Sequence, residues 1–149
     1  MTFKEKIFQL YKQKVEDKIS LLKKSYDELS ESAANETKST AGDKHETALA
    51  MLQIEQENTG RQLKEVLNQK SILEKIDPTL HTLEIVRGSI VNTNNGIFFM
   101  CIGLGKILVD ENTVIALSPE SPLGLQLMHL KQGDTFTFSG IDYIIERIE

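Results

Sequence analysis

The sequence predicts an α+β chain in which a long N-terminal antiparallel α-helical coiled-coil hairpin precedes a small α+β domain. Three features carry that expectation. In the first half, apolar residues recur at spacings of three and four. In the second half they gather in short β-branched and aromatic runs. All three prolines and seven of the nine glycines lie after residue 77. The expected division is a hairpin over 1–76, with its tip near 36–45, and a globular domain over 77–149.

The first helix is marked by Phe8, Tyr11, Val15, Ile19, Leu22, Tyr26 and Leu29, a coiled-coil seam with charged residues filling the gaps. The second is expected from near Asp43 to Ile76, with Leu49, Leu52, Leu63, Val66, Leu73 and Ile76 on a similar period. Its middle is weaker, because Gln56 and Thr59 take seam positions and Gly60 costs about 1 kcal/mol against alanine, so loose packing or a bend is expected there. Two amphipathic helices of matching length, each with a narrow apolar stripe, bury those stripes by folding back on each other. Gly42 permits the reversal between them.

Asp77-Pro78 ends the second helix, since a residue before proline is biased away from the helical region. Strands are expected in LEIVRGSIVNT, NNGIFFMCIGLG, KILVDENTVIALS, DTFTFSG and IDYIIERI, with turns at Asn-Gly, Asp-Glu-Asn and Ser-Gly-Ile-Asp. One short helix interrupts them in SPLGLQLMHLKQGD, with Ser121 as N-cap, Pro122 at the first helical position, Leu123, Leu127 and Leu130 on one face, and a stop at Gly133. The strands and this helix are expected to share one core, which predicts that 77–149 folds alone.

Residues 1–76 carry 13 basic and 13 acidic residues and 77–149 carry 4 and 9, so the whole net charge of −5 falls on the second half. A balanced, dense charge suits a solvated helical surface, and an acidic domain argues against binding a phosphate backbone. The single cysteine, Cys101, rules out an intramolecular disulfide and reads as a buried core residue within FFMCIG. No run approaches the ~18 apolar residues of a membrane span, and the N-terminus is too charged for a signal peptide, so no membrane association and a cytoplasmic location are expected.

The run VIALSPESPLGLQLMHLKQGDTFTF, closing with IDYIIERIE, together with the tip segment GDKHETALAM, resembles the bacterial Gre transcript-cleavage factor family over essentially the whole chain. The resemblance implies a C-terminal domain of FKBP-like fold. It further implies a transcription elongation factor that acts as a monomer, with RNA polymerase as partner. The coiled coil would enter the polymerase's secondary channel and reach toward nascent RNA while the globular domain docks at the channel rim. Partner contacts are implied for Lys38, Lys44 and His45 at the tip, and for Ser121, Pro122, Gly133 and Asp134 in the C-terminal run. The family stimulates cleavage by the polymerase and has no independent activity. Its tip carboxylates hold a Mg2+ ion shared with that enzyme.

Matching His45 to the family's tip histidine places Asp43 on one tip acid but puts Thr37 and Thr40 at the two positions that hold the shared ion. Hydroxyls lack the charge to retain magnesium against water, so cleavage chemistry is either lost or moved to Glu36, Asp43 and Glu46, with Asp43 and Glu46 as the metal candidates. Loss is the expectation. The same acids have a structural use, because Asp43 can cap the second helix with Glu46 at its N3 position. Likewise Lys12, Lys14, Lys18, Lys23, Lys24, Lys38 and Lys44 suit both a solvated helix face and steering toward acidic channel walls or RNA.

His81 and His129 have no patterned partner, and no Ser/His/Asp set or glycine-rich phosphate loop appears. The alternative of another class is a coiled-coil adaptor or dimerisation module, in which the polar seam at Gln56, Thr59 and Gly60 faces a helix of another chain.

Overall fold

A computed structural model describes residues 1–37 and 42–149, the side chains of 37 and 42–45 excepted. Among the described residues the order is α1 (Phe3–Thr37), α2 (Gly42–Glu74), β1 (Ile90–Thr93), β2 (Gly96–Met100), β3 (Gly105–Val109), β4 (Asn112–Leu117), α3 (Pro122–Leu127), β5 (Thr135–Phe138) and β6 (Ile141–Ile148). The chain is therefore α+β. It packs as two units, Lys14–Lys70 and the combination of Met1–Gln13 with Ser71–Glu149.

The Lys14–Lys70 unit is a pair of antiparallel helices whose register can be read from three meetings. Lys70 Nζ lies 2.9 Å from Glu16 Oε1. The Gln56 amide donates to Ser30 Oγ at 2.7 Å. The Tyr26 ring lies 3.3 Å from where a Cβ at Gly60 would stand. In all three the two residue numbers add to 86, as antiparallel helices of equal rise require. Val15, Ile19, Leu22 and Val66 are buried in this seam, whereas Tyr26, toward the tip, is 36% exposed. The expected weak point at Gly60 is instead a fitted one: α2 continues through it, and the missing side chain makes room for the tyrosine ring.

In the other unit, six strands form one sheet in the order β3-β4-β2-β1-β6-β5, antiparallel except where β2 runs parallel to β4. Three hairpins have two-residue loops, and two of them turn on residues in the left-handed region, Asp110 and Glu111 between β3 and β4 (φ 48° and 68°) and Ser139 and Gly140 between β5 and β6 (φ 51° and 77°), whereas the β1–β2 loop places its positive φ at Gly96 (136°). Two left-handed residues give the backbone twist that two-residue hairpins favour.

One face of the sheet carries Val91, Phe98, Met100, Leu117, Tyr143, Ile145 and Ile148 into a core closed by Leu127 of α3. Ile145 and Ile148 are an odd number of residues apart and would point to opposite faces of a regular strand. A register shift between Asn92 and Thr93, which pair with Arg147 and Ile145, brings both to the same side. Tyr143 stacks on Phe136 with centroids 4.9 Å apart.

The other face presents Ile90, Phe99, Val114 and Ala116, all at most 3% exposed. The first turns of α1 meet it. Tyr11 is fully buried with its ring 5.7 Å from that of Phe99, and its hydroxyl donates to the Gly105 carbonyl at 2.7 Å and reaches the Val114 carbonyl at 3.1 Å. Lys6 pairs with Asp110 at 3.0 Å in the β3–β4 turn. Division by packing thus differs from division at Asp77: the unit that holds the sheet takes in both helix ends, and Ile7, Tyr11 and Leu73 are all buried residues of it.

Other expected boundaries shift. The run from Leu83 is not a strand until Ile90, apart from an isolated bridge between Glu84 and Lys131. The short helix stops at Leu127 rather than continuing through Leu130, because Met128 leaves the helical region (φ −55°, ψ 134°) and His129 follows in the left-handed region (φ 68°). That turn lets the His129 N–H donate to the Ile85 carbonyl at 2.8 Å, and the Leu130 carbonyl accept from Ile85 at 2.9 Å.

Tyr11→Phe is expected to cost about 1–2 kcal/mol in urea denaturation, since it leaves buried carbonyls without their donor. Burial pushes the Tyr11 phenol above its ordinary value of about 10. The phenol's contribution is therefore full below that value and is lost at more alkaline pH, where the unfolded chain ionises first. A stability profile above pH 10 should fall less steeply in Tyr11→Phe than in the parent, and identical profiles would exclude the buried hydroxyl.

Candidate functional site

The expected site residues fall at two places. At the hairpin end, Glu36 is in the last turn of α1, half-buried and engaged with a partner, while Glu46 is exposed on α2. Asp43, expected to cap α2, is its second residue. Its side chain and those of Lys44 and His45 lie outside the described residues, as do Lys38 and Thr40 entirely.

The register of the hairpin sets the level of the two described acids. With paired residues adding to 86, Glu36 stands opposite Ala50, and Glu46 stands level with a point beyond the end of α1 at Thr37. Their offset along the axis is about 6 Å, on top of the ~8–10 Å between packed helix axes. Magnesium demands oxygens at about 2.1 Å in near-octahedral geometry, so two acids so staggered on different helices make a poor shared ligand pair. Among the described residues no three His, Cys, Asp or Glu side chains come together.

In the sheet unit, the C-terminal run has internal employment. Ser121 Oγ accepts from the Gly124 N–H at 3.1 Å and donates to the Ser118 carbonyl at 2.6 Å, and Pro122 follows as the first residue of α3. Gly133 takes φ 91° and donates its N–H to the Ile145 carbonyl at 2.7 Å. Asp134 Oδ2 accepts from the Lys131 N–H at 2.7 Å. These four build the helix start and the turn into β5. Their conformations follow from capping and turn chemistry, and Pro122, Gly133 and Asp134 are exposed.

Arg87 was not singled out from the sequence. One guanidinium nitrogen donates to the Cys101 carbonyl at 2.6 Å and another lies 3.2 Å from Glu120 Oε1, which ties the turn before β1 to the segment before α3. The Ser118 hydroxyl, with help from Arg87, holds the Glu120 carboxyl below the usual carboxylate range. His129, unpaired in the sequence pattern, lies 3.2 Å from Glu84 Oε1 across 45 residues of chain. No local spacing signals either pair. Cys101 is fully buried, and burial pushes its thiol up to about 12, which suits a core residue and not a nucleophile.

No helix among the described residues is long and apolar enough to cross a membrane. Comparison of the chain with protein-family models, with curated proteins and with solved structures gives no match.

Two outcomes follow from this geometry. A thiol reagent at pH 8 should label Cys101 only at the rate of unfolding, and labelling as fast as that of a free thiol would contradict its burial. A Cβ at Gly124 would overlap the Ser118 carbonyl oxygen, so Gly124→Ala should lower stability by about 1–3 kcal/mol in thermal or urea unfolding.

Proposed function

We propose that the chain is a Gre-like transcription elongation factor that binds RNA polymerase through the secondary channel and modulates elongation by occupying that channel. The carrying observation is the self-paired hairpin, in which Glu16 with Lys70, Ser30 with Gln56 and Tyr26 with Gly60 keep one register. A narrow two-helix element with a mostly polar outer surface is what insertion into a channel asks for. On this reading the sheet unit, with α3 against one face, is an FKBP-like domain that anchors at the channel rim through the exposed parts of the Ser121–Asp134 region. The protein would work in the cytoplasm.

The resemblance brings with it a magnesium ion shared with the polymerase, and the residues present do not suit it. Thr37 and Thr40 stand where carboxylates are needed, and Glu36 and Glu46 stand at different levels. The proposed effect is therefore exclusion: while the hairpin is in place, a true cleavage factor cannot enter. The adaptor reading would need Gln56, Thr59 and Gly60 to face another chain, whereas Gln56 and Gly60 meet Ser30 and Tyr26 of this one.

A backtracked polymerase complex, a cleavage factor and the full-length protein test this together. The expected result is concentration-dependent inhibition of factor-stimulated cleavage, with little cleavage from the protein alone. Asp43→Ala combined with Glu46→Ala should leave inhibition within about fivefold, the equivalent of the ~1 kcal/mol that lost helix-end charges contribute. Strong magnesium-dependent cleavage by the parent protein, abolished by the double substitution while binding persists, would overturn exclusion in favour of a relocated acidic site. Absence of any competition would overturn the polymerase assignment.

A further inference from the structure

Lys4 is the charged residue whose position the fold least explains. It is only 9% exposed, and its ammonium donates to the Leu80 carbonyl at 2.7 Å. Among the described residues no carboxylate comes within ion-pair distance of it, although Lys6 two residues on has Asp110 at 3.0 Å. An ammonium has three protons to donate, and one neutral carbonyl compensates only part of what drawing the charge away from water costs. Burial accordingly lowers its pKa, against the weaker and more distant pull of Glu149 and Asp77.

The same residue lines a hollow of about 380 Å³ that lies wholly within the sheet unit, between the end of α2, the Asp77–Thr82 segment and the turn before β1. Ile72, Ile76, Leu80 and Val86 give it apolar walls, while Lys4, Lys75 and Arg87 give it three cations against one acid, Asp77. That acid is already engaged, for Asp77 Oδ1 accepts from the Thr79 N–H at 2.9 Å and from its hydroxyl at 2.6 Å. An excess of positive charge here is notable because the sheet unit as a whole, 1–13 with 71–149, carries 8 basic and 11 acidic residues. A smaller hollow of about 240 Å³ shares the Lys4 and Leu80 wall, but it also contains Glu149, already paired with Arg147 at 3.0 Å. The larger hollow is the one short of negative charge.

We infer that the larger hollow binds a small amphipathic carboxylate, its head group meeting Lys4 and its apolar body lying against Ile72, Ile76 and Val86. The volume lies at the lower end of ordinary ligand sites, and apolar walls with a few placed polar groups are their usual make-up. Lys75, exposed at the rim, and Arg87, whose present partner Glu120 is a 73%-exposed surface group, add to the attraction without needing to be desolvated. A ligand carboxylate would supply the ion pair that the fold leaves Lys4 without. The inference does not depend on what the hairpin does.

Octanoate is the test compound, titrated into the full-length protein while the methyl resonances of Ile72, Ile76 and Val86 are followed by NMR. Saturable shifts confined to that hollow are expected, with 1-octanol and inorganic phosphate each binding at least tenfold more weakly. Lys4→Met should lose at least tenfold in octanoate affinity while melting no lower than the parent, because the unpaired ammonium has gone. Lys75→Glu, at an exposed position, covers the case in which Lys4→Met does not fold, and should weaken octanoate at least threefold. The inference fails if octanol binds as well as octanoate, if phosphate alone matches it, if both substitutions leave affinity unchanged, or if no saturable shift appears.

Discussion

The sheet unit rests on the burial of Tyr11. A sheet with Ile90, Phe99, Val114 and Ala116 on one side and Val91, Phe98 and Met100 on the other has two apolar faces and needs two covers. The chain after residue 77 supplies one of them, through α3. For the other face the unit draws on the first turns of α1, where Tyr11 adds direction to burial: its hydroxyl is aimed at carbonyls of β3 and β4. A phenylalanine would fill the same space with no preference for where along the strands it lay. The hydroxyl fixes the helix start against the β3–β4 pair, and Lys6 at Asp110 fixes it again at the turn.

Much of the fold was legible because its signals are local. The seam of α1 and α2 between Lys14 and Lys70, the Ser121-Pro122 start of α3 and the left-handed hairpin turns depend on neighbours a few residues away, and each is where the pattern put it. What was not legible depended on distant chain. Ile7, Phe8 and Tyr11 fit the helical period equally well whether they face a second helix or a sheet, so the period could not reveal that the first turns of α1 belong to the sheet unit. Met128 and His129 are unremarkable residues for a helix, and where α3 ends the chain instead pairs His129 and Leu130 with Ile85, more than 40 residues earlier. The extended-looking run from Leu83 fails as a strand because the next element of the sheet begins at Ile90.

The candidate sites divide in the same way. Glu36 and Glu46 were visible as acids near a reversal, and Ser121 and Asp134 as cap and turn residues, because composition and spacing mark such places. Their levels and employment were not visible, since these follow from a helix register and from hydrogen bonds. Lys4 could not have been found at all. In the sequence it is one lysine among several in a charged N-terminus, and its distinction is a largely buried side chain with, among the described residues, no carboxylate within ion-pair distance, a property of the folded environment alone.

The hairpin's polar seam bears on what its end can do. Aliphatic seam residues such as Ile19, Leu22 and Val66 supply burial but discriminate weakly between registers, since one leucine-sized side chain replaces another when helices slide. Nearer the tip the seam changes to Ser30 with Gln56 and Tyr26 with Gly60, and these favour one register: Ser30 Oγ accepts from Gln56 while donating to the Tyr26 carbonyl at 3.0 Å, and a glycine lets the ring lie close against α2. Such polar positions give up apolar burial and gain a fixed register, their best-attested use in coiled coils. Fixing the register there fixes the level of α2 relative to α1 at the end of the hairpin. The stagger of Glu46 against Glu36 is thus specified by Gln56 and Gly60, residues a sequence reading takes for defects in the seam.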